Sequence, residues 1–369
     1  MNSMAIDRRQ LLLGTLSAVA LPAALHETAL AGGLPAFVSA AKRGDAYVVL
    51  LLAQDGSILR EVPLSARGHD IALHSSGRAV VFARRPGTFA VAFNIFDERP
   101  PQIFNAIAGR HFYGHGAFSH DGRLLYVSEN DIANARGVIG IYDVASGYKR
   151  VGEMPSFGIG PHEIIRLGDG KTLAVANGGI DTVPEAGREN LNLESMEPSL
   201  VFMNAVTGAL LAKHALPAAL ARLSIRHLTP DASGKVWFGG QWEGDAASTP
   251  ELIGCASADQ SLKLITPKTP LGSNLKGYIG SMASSLDGAI IAASAPKAGR
   301  VLYLDSKSGD IVGESTLKDG CGVAGETGDT FAVTSGLGAF RHEKPGVRVL
   351  SVAALSDIAF DNHLRRLRV

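Results

Sequence analysis

Cysteine is nearly absent from this chain: 369 residues hold two, Cys255 and Cys321, without CxxC spacing. A disulfide framework is excluded by count, and no CxxC chemistry is available. An excess of charge of either sign is also missing. Thirty-five Lys and Arg balance thirty-five Asp and Glu, so no electrostatic argument favours nucleic acid or a membrane surface as a partner. The sequence contains no GxSxG elbow, Walker loop, HExxH or haem-attaching CxxCH. No motif therefore names a nucleophile, a Walker-type nucleotide cradle or a haem. Glycine is plentiful instead, at forty-three residues, as suits short strands joined by tight turns.

Histidine recurs at a fixed point of a repeating module. It stands in Gly68-His69-Asp70, Gly114-His115-Gly116, Pro161-His162-Glu163, Arg226-His227-Leu228 and Asn362-His363-Leu364. Seven or eight residues after each of the first four comes a turn glycine: Gly77, Gly122, Gly170 and Gly234. Two further modules keep the turn and lose the histidine, at Ser281 and at Cys321, each followed by its own turn glycine, Gly288 or Gly328. Seven modules at a period of about 40 to 50 residues predict an all-β fold, a seven-bladed β-propeller of four-stranded antiparallel blades.

Within a module the apolar pattern has period two, as strands with one face in each blade interface require. The repeating part begins with three strands, 36–40, 47–52 and 58–63, and ends on a lone one, 364–369. The last strand is expected to complete the first blade and so to remove an open sheet edge.

The first 31 residues read as an export address. Asp7-Arg8-Arg9-Gln10-Leu11 precedes an apolar stretch to about Leu25, and Ala29-Leu30-Ala31 supplies small residues for a signal peptidase. The pattern resembles a twin-arginine signal, with Asp7 and Leu11 replacing the usual Ser or Thr and Phe. A membrane anchor is disfavoured, because Pro22 and His26 interrupt a stretch that would need roughly 20 apolar residues. The mature protein, 32–369, is then one periplasmic domain, free of the membrane and expected to be a monomer.

The five histidines are placed where loops enter the innermost strands, around one mouth of the central channel. The loops between the second and third strands are the least repetitive parts of the sequence and open on the same face. They are read as Arg84-Arg85-Pro86-Gly87, Glu129-Asn130-Asp131, the long excursion 178–198, and the stretch from Gln241 to Asp245. The candidate site is therefore His69, His115, His162, His227 and His363 as metal ligands, with Asp70, Glu163, Glu129, Asp131, Glu243 and Asp245 nearby to join them, and with Arg110, Glu129, Asp131 and Glu243 as cofactor-binding residues. Neutral imidazole and carboxylate suit iron, zinc, copper or nickel. One histidine at a strand start also serves as a hydrogen-bonding plug between blades; five in register point to a shared ligand. The word GRHFYGHG, 109–116, offers Arg110, His111 and Tyr113 to an anion, or else forms a packed aromatic loop. Cys321 is a soft ligand or a small buried filler, and the excursion 178–198 a lid or a surface flap. His74, His120, His214 and His342 fall in turns or outer strands and are expected in solvent.

The words ARRPGTF, GRHFYGHG, SEND, GPHE, LNLESMEPSL, WFGGQWEGD, CGVA and DNHLR resemble an uncharacterised family of exported proteobacterial proteins. That family is a domain of unknown function within the YVTN or quinoprotein-like propeller superfamily. The resemblance covers essentially the whole mature chain. It implies a periplasmic propeller encoded beside imelysin-type and di-haem peroxidase-like proteins, hence iron as the favoured metal and iron-uptake proteins as partners. No catalytic residue carries over. A metal-handling propeller is the first reading; a lactonase-like or quinoprotein-like enzyme, or a non-catalytic scaffold, are the others.

Overall fold

The computed structural model describes residues 33–367 apart from 86, 184–189, 249, 267–274 and 348. The segment read as an export signal lies outside the described residues. From Pro35 onward the chain forms a body of seven four-stranded antiparallel sheets. Taken in chain order, blade 2 spans 68–105, blade 3 110–155, blade 4 161–215, blade 5 223–264, blade 6 281–316 and blade 7 320–354. Blade 1 is composite: Phe37–Arg43, Ala46–Leu52 and Ile58–Leu64 are joined by the C-terminal strand Ile358–Arg366, which pairs with Phe37–Arg43 and becomes its innermost strand. Each innermost strand packs against those of the two adjacent blades, and the seventh meets the first. The ring is closed, and the expected closure by the last strand is observed.

Period two explains why the blades stack. In blade 1, Leu50 and Leu52 face blade 7, while Val49 and Leu51 face blade 2. In blade 2, Ala79 and Val81 face back to blade 1, while Val80 and Phe82 face blade 3. The central strands are thus buried on both sides and read as continuous apolar runs. Among the described residues the core divides into seven clusters, one in each blade interface. The repeated turn glycines Gly77, Gly122, Gly170, Gly234, Gly288 and Gly328 all have φ between 65° and 83°, a region where a side chain is strained.

Candidate metal centre

All seven repeat markers lie on innermost strands. His363, His69, His115, His162 and His227 belong to blades 1 to 5 in ring order, and Ser281 and Cys321 hold the equivalent places in blades 6 and 7. The pairing of the innermost strand with its neighbour slips at this level in six blades, blade 6 being the exception. Bulges of this kind bend a strand and re-aim its side chains. Two are the widest, four residues against two: Phe360 to Leu364 in blade 1 and Phe112 to Gly116 in blade 3. In the blade 3 bulge Gly114 has φ +100°, and a Cβ on it would stand 2.7 Å from Cδ2 of His69. Only glycine lets the His69 ring come this close to the backbone of blade 3.

The result is a cluster of five imidazoles. His115 is its hub, with ring centroids at 4.9 Å from His69, 4.8 Å from His162, 4.8 Å from His363 and 6.3 Å from His227. His69 lies 4.7 Å from His363, and His162 lies 5.0 Å from His227. Four of the rings are buried and His162 is half-buried.

Carboxylates brace the rings from behind. His69 Nδ1 is 2.8 Å from Asp361 Oδ1, and His115 Nδ1 is 2.9 Å from Asp70 Oδ2. His227 Nδ1 lies 3.6 Å from Glu163 Oε2, which also accepts the Leu228 N–H at 3.0 Å. Arginines hold these acids ionised. Arg365 donates to Asp70 at 2.7 and 2.5 Å and to Glu163 at 2.8 Å, while Arg84 and Arg67 donate to Asp361 at 2.9 and 2.7 Å. Burial pushes all three carboxyls up, and the surrounding histidines and arginines outweigh it. Asp70 and Asp361 stay well below the usual carboxylate range and Glu163 falls to about 2. An ionised carboxylate can only accept, so Nδ1 of His69 and of His115 carries a proton, and in the neutral ring Nε2 is the nitrogen that keeps its lone pair.

Burial also depresses the imidazoles. His69 falls to about 3, against the pull of Asp361, and His162, His227 and His363 are likewise lowered, with neighbouring histidines contributing. These rings are neutral at pH 7, the form that ligates. Several of their nitrogens are buried without a hydrogen-bond partner: Nε2 of His115 and His363, Nδ1 of His162, and both nitrogens of His227. Each such atom costs on the order of 1–3 kcal/mol. The residues therefore fit a metal ion: unpartnered ring nitrogens converge, and in His69 and His115 Nδ1 is fixed by a carboxylate, the usual support of a ligating histidine. Ligand atoms of His69, His115 and His363 lie within 4.8 Å of one another, as do those of His115, His162 and His227. Ligands at about 2.1 Å from one tetrahedral ion are about 3.4 Å apart, so small side-chain rotations would bring either trio onto a metal.

The other sequence candidates separate. Glu243 lies on the rim, where it accepts from Arg226 at 3.2 Å and from Asn190 at 3.1 Å. Arg110, Glu129 and Asp131 do not line the cavity over the histidines. Glu129 and Asp131 are no loop residues but the end of the strand Leu124–Asp131. Glu129 is buried, accepting from Tyr142 Oη at 2.5 Å and Arg150 at 2.9 Å. Asp131 pairs with Arg110 and with Arg136. With Glu153 these form an ion-pair network inside blade 3. Cys321 is a buried filler: its Sγ lies 3.3 Å from the Asp361 carbonyl, within the interface of blades 7 and 1. His342 is not simply solvated, as it pairs with Glu326 at 2.7 Å, and His214 bonds the Ser257 carbonyl at 2.8 Å. The stems of the excursion are tied together, Asp181 N–H to Asn192 Oδ1 at 2.7 Å, and 184–189 lie outside the described residues. Sequence reasoning missed Asp361, Arg365 and Arg67.

Residues 62–367 match a family described as "Protein of unknown function (DUF1513)". The chain belongs to this family. No curated protein matches the DUF1513 chain. Among solved structures it is similar to hydrazine synthase of Kuenenia stuttgartiensis, with a TM-score of 0.57 and 14% identity over 85% of this chain and 90% of that one. At that identity the likeness is one of fold alone.

Proposed function

We propose that this DUF1513 protein is a periplasmic metal-handling propeller that holds one transition-metal ion among His69, His115, His162, His227 and His363. The observation that carries the reading is the convergence of buried, unpartnered nitrogens of His115, His162, His227 and His363, with the His69 ring packed among them. Asp70 and Glu163 come near His115, but both are spanned by Arg365, so they serve as braces. Imidazole donors suit iron, copper and zinc. Iron is the first to test, given the resemblance to proteins encoded beside iron-uptake genes, whose products are the proposed partners.

Elemental analysis of protein purified without a tag from periplasm tests the reading, together with titration of chelator-treated protein by ferrous, cupric and zinc ions at pH 7.5. One ion per chain is expected. The His115→Ala/His162→Ala double variant should bind at least 100-fold more weakly, and His74→Ala, in a surface turn, should match wild type. If no ion binds more tightly than about 0.1 mM, roughly −5.5 kcal/mol, the metal reading is abandoned.

A further inference from the structure

Above the imidazoles the channel widens in two steps. A small chamber of about 20 Å³ is bounded by His69, His162 and His227 below and by Tyr113, Arg85 and Arg226 at its sides. That is room for one water-sized group. It leads to a vestibule of about 530 Å³ whose wall shares Arg84, Arg85, Arg226, Gln241, Tyr278 and Asn362 with the chamber, a size suited to a small molecule. Four cationic side chains line the vestibule, Arg84, Arg85, Arg226 and Lys297, against two carboxylates, Glu243 and Asp319. Glu243 is engaged by Arg226 and Asn190. Arg84 also binds Asp361 behind the wall, and counting that carboxylate four cations still stand against three acids inside low-dielectric walls, a setting that concentrates anions.

A second observation is independent of this charge. Tyr113 is 2% exposed, lines the chamber, and its Oη has no hydrogen-bond partner. The phenol is a neutral donor at ordinary pH, and the neighbouring Thr182 Oγ1 is likewise without a hydrogen bond of good geometry. Leaving such a donor unmet costs on the order of 1–3 kcal/mol. It faces the same space as the guanidinium groups of Arg85 and Arg226. Arg110, the arginine of the word GRHFYGHG, is turned to Asp131 and Glu153 and takes no part.

We infer that the vestibule binds a small anionic oxygen ligand, its charged end seated against Tyr113 Oη and the guanidinium groups of Arg84, Arg85 and Arg226 directly above the imidazoles. The shared chemistry is that of an organic carboxylate or of inorganic phosphate. The inference goes beyond the metal reading and does not depend on it, since neither Tyr113 nor any of these cations is a proposed metal ligand.

Calorimetric titration of the metal-free full chain with acetate, succinate and phosphate, each at low and high salt, tests it. At least one anion should bind with a dissociation constant below about 1 mM at low salt and more weakly at high salt. Stronger binding of succinate identifies an organic acid and stronger binding of phosphate an inorganic oxyanion; both support the site. Tyr113→Phe removes one donor at nearly constant volume and should weaken binding about tenfold, as expected for a hydrogen bond to a charged group. Arg85→Gln should weaken it further, while metal content stays at the wild-type value in both. The inference is overturned if no anion binds more tightly than about 10 mM, or if both variants bind as wild type does. Anion binding without metal uptake would overturn only the metal reading.

Discussion

A chain truncated before Ile358 is expected to lose its cooperative fold. The removed strand is the innermost strand of blade 1, and through it blade 1 meets the innermost strands of blades 2 and 7. Its Phe360 and Leu364 fill the interface of blades 7 and 1, and Leu367 fills that of blades 1 and 2. Burying each is worth about 1.5–3 kcal/mol. Loss of Arg365 would strand Asp70 and Glu163 as buried charges, and breaking a buried pair in this way costs about 3–5 kcal/mol. The total reaches the whole stability of an ordinary domain, about 5–15 kcal/mol. The truncated protein should be insoluble or should melt without a sharp transition, by circular dichroism and calorimetry alike. Arg365→Met keeps the strand and removes only the charge, so it should remain folded with a clearly lowered melting temperature. A truncated chain melting within a few degrees of the full chain would show that the ring does not need this closure.

The blades were legible because their turns are written in local chemistry. Words such as SHDGR and DASGK combine a carboxylate or hydroxyl with a glycine at positive φ, and local turn signals survive without tertiary information. The histidine register was legible for the same reason, being a fixed offset from those turns. The bracing layer was not. Asp361 meets His69 and Arg365 meets Asp70 across nearly the whole chain, and only ring closure brings them together. Glu129 and Asp131 misled because Ser128-Glu129-Asn130-Asp131 has the composition of a loop. Their carboxylates are neutralised by Arg150, Arg110 and Arg136, and Tyr142 donates a hydrogen bond to Glu129, which lets polar residues end a buried strand. Cys321 and Ser281 show the limit of register: they occupy histidine positions, and beside them the connector from blade 5 to blade 6 brings Tyr278, whose hydroxyl accepts from Asn362 Nδ2 at 3.2 Å.

Acid should unfold the metal-free protein well before its carboxylates protonate. His69 is held at about 3, and His162, His227 and His363 are lowered as well, whereas a free histidine titrates near ~6.5. Below that pH the unfolded chain takes up protons that the native state refuses, so stability falls as pH falls, by up to about 1.4 kcal/mol per pH unit for each histidine. The acids act in the same direction at lower pH. Asp70, Glu163 and Asp361 are held below their ordinary values, so what they contribute is present above about 4 and is lost as pH drops through their folded pKa values. Four depressed histidines make the first loss the larger one, and over two pH units it approaches the ordinary stability of a domain. Urea unfolding at steps from pH 7.5 to 4.5 should show stability dropping steeply below about pH 6.5, with more than two protons taken up on unfolding. His162→Gln should reduce that uptake by about one. Metal at 100 times its dissociation constant should add about 2.7 kcal/mol at pH 7.5 and progressively less in acid, because ligation and protonation compete for the same lone pairs. A stability profile flat between pH 7 and pH 5 would mean that the imidazoles accept protons in the folded state, and the neutral cluster on which the metal reading rests would be wrong.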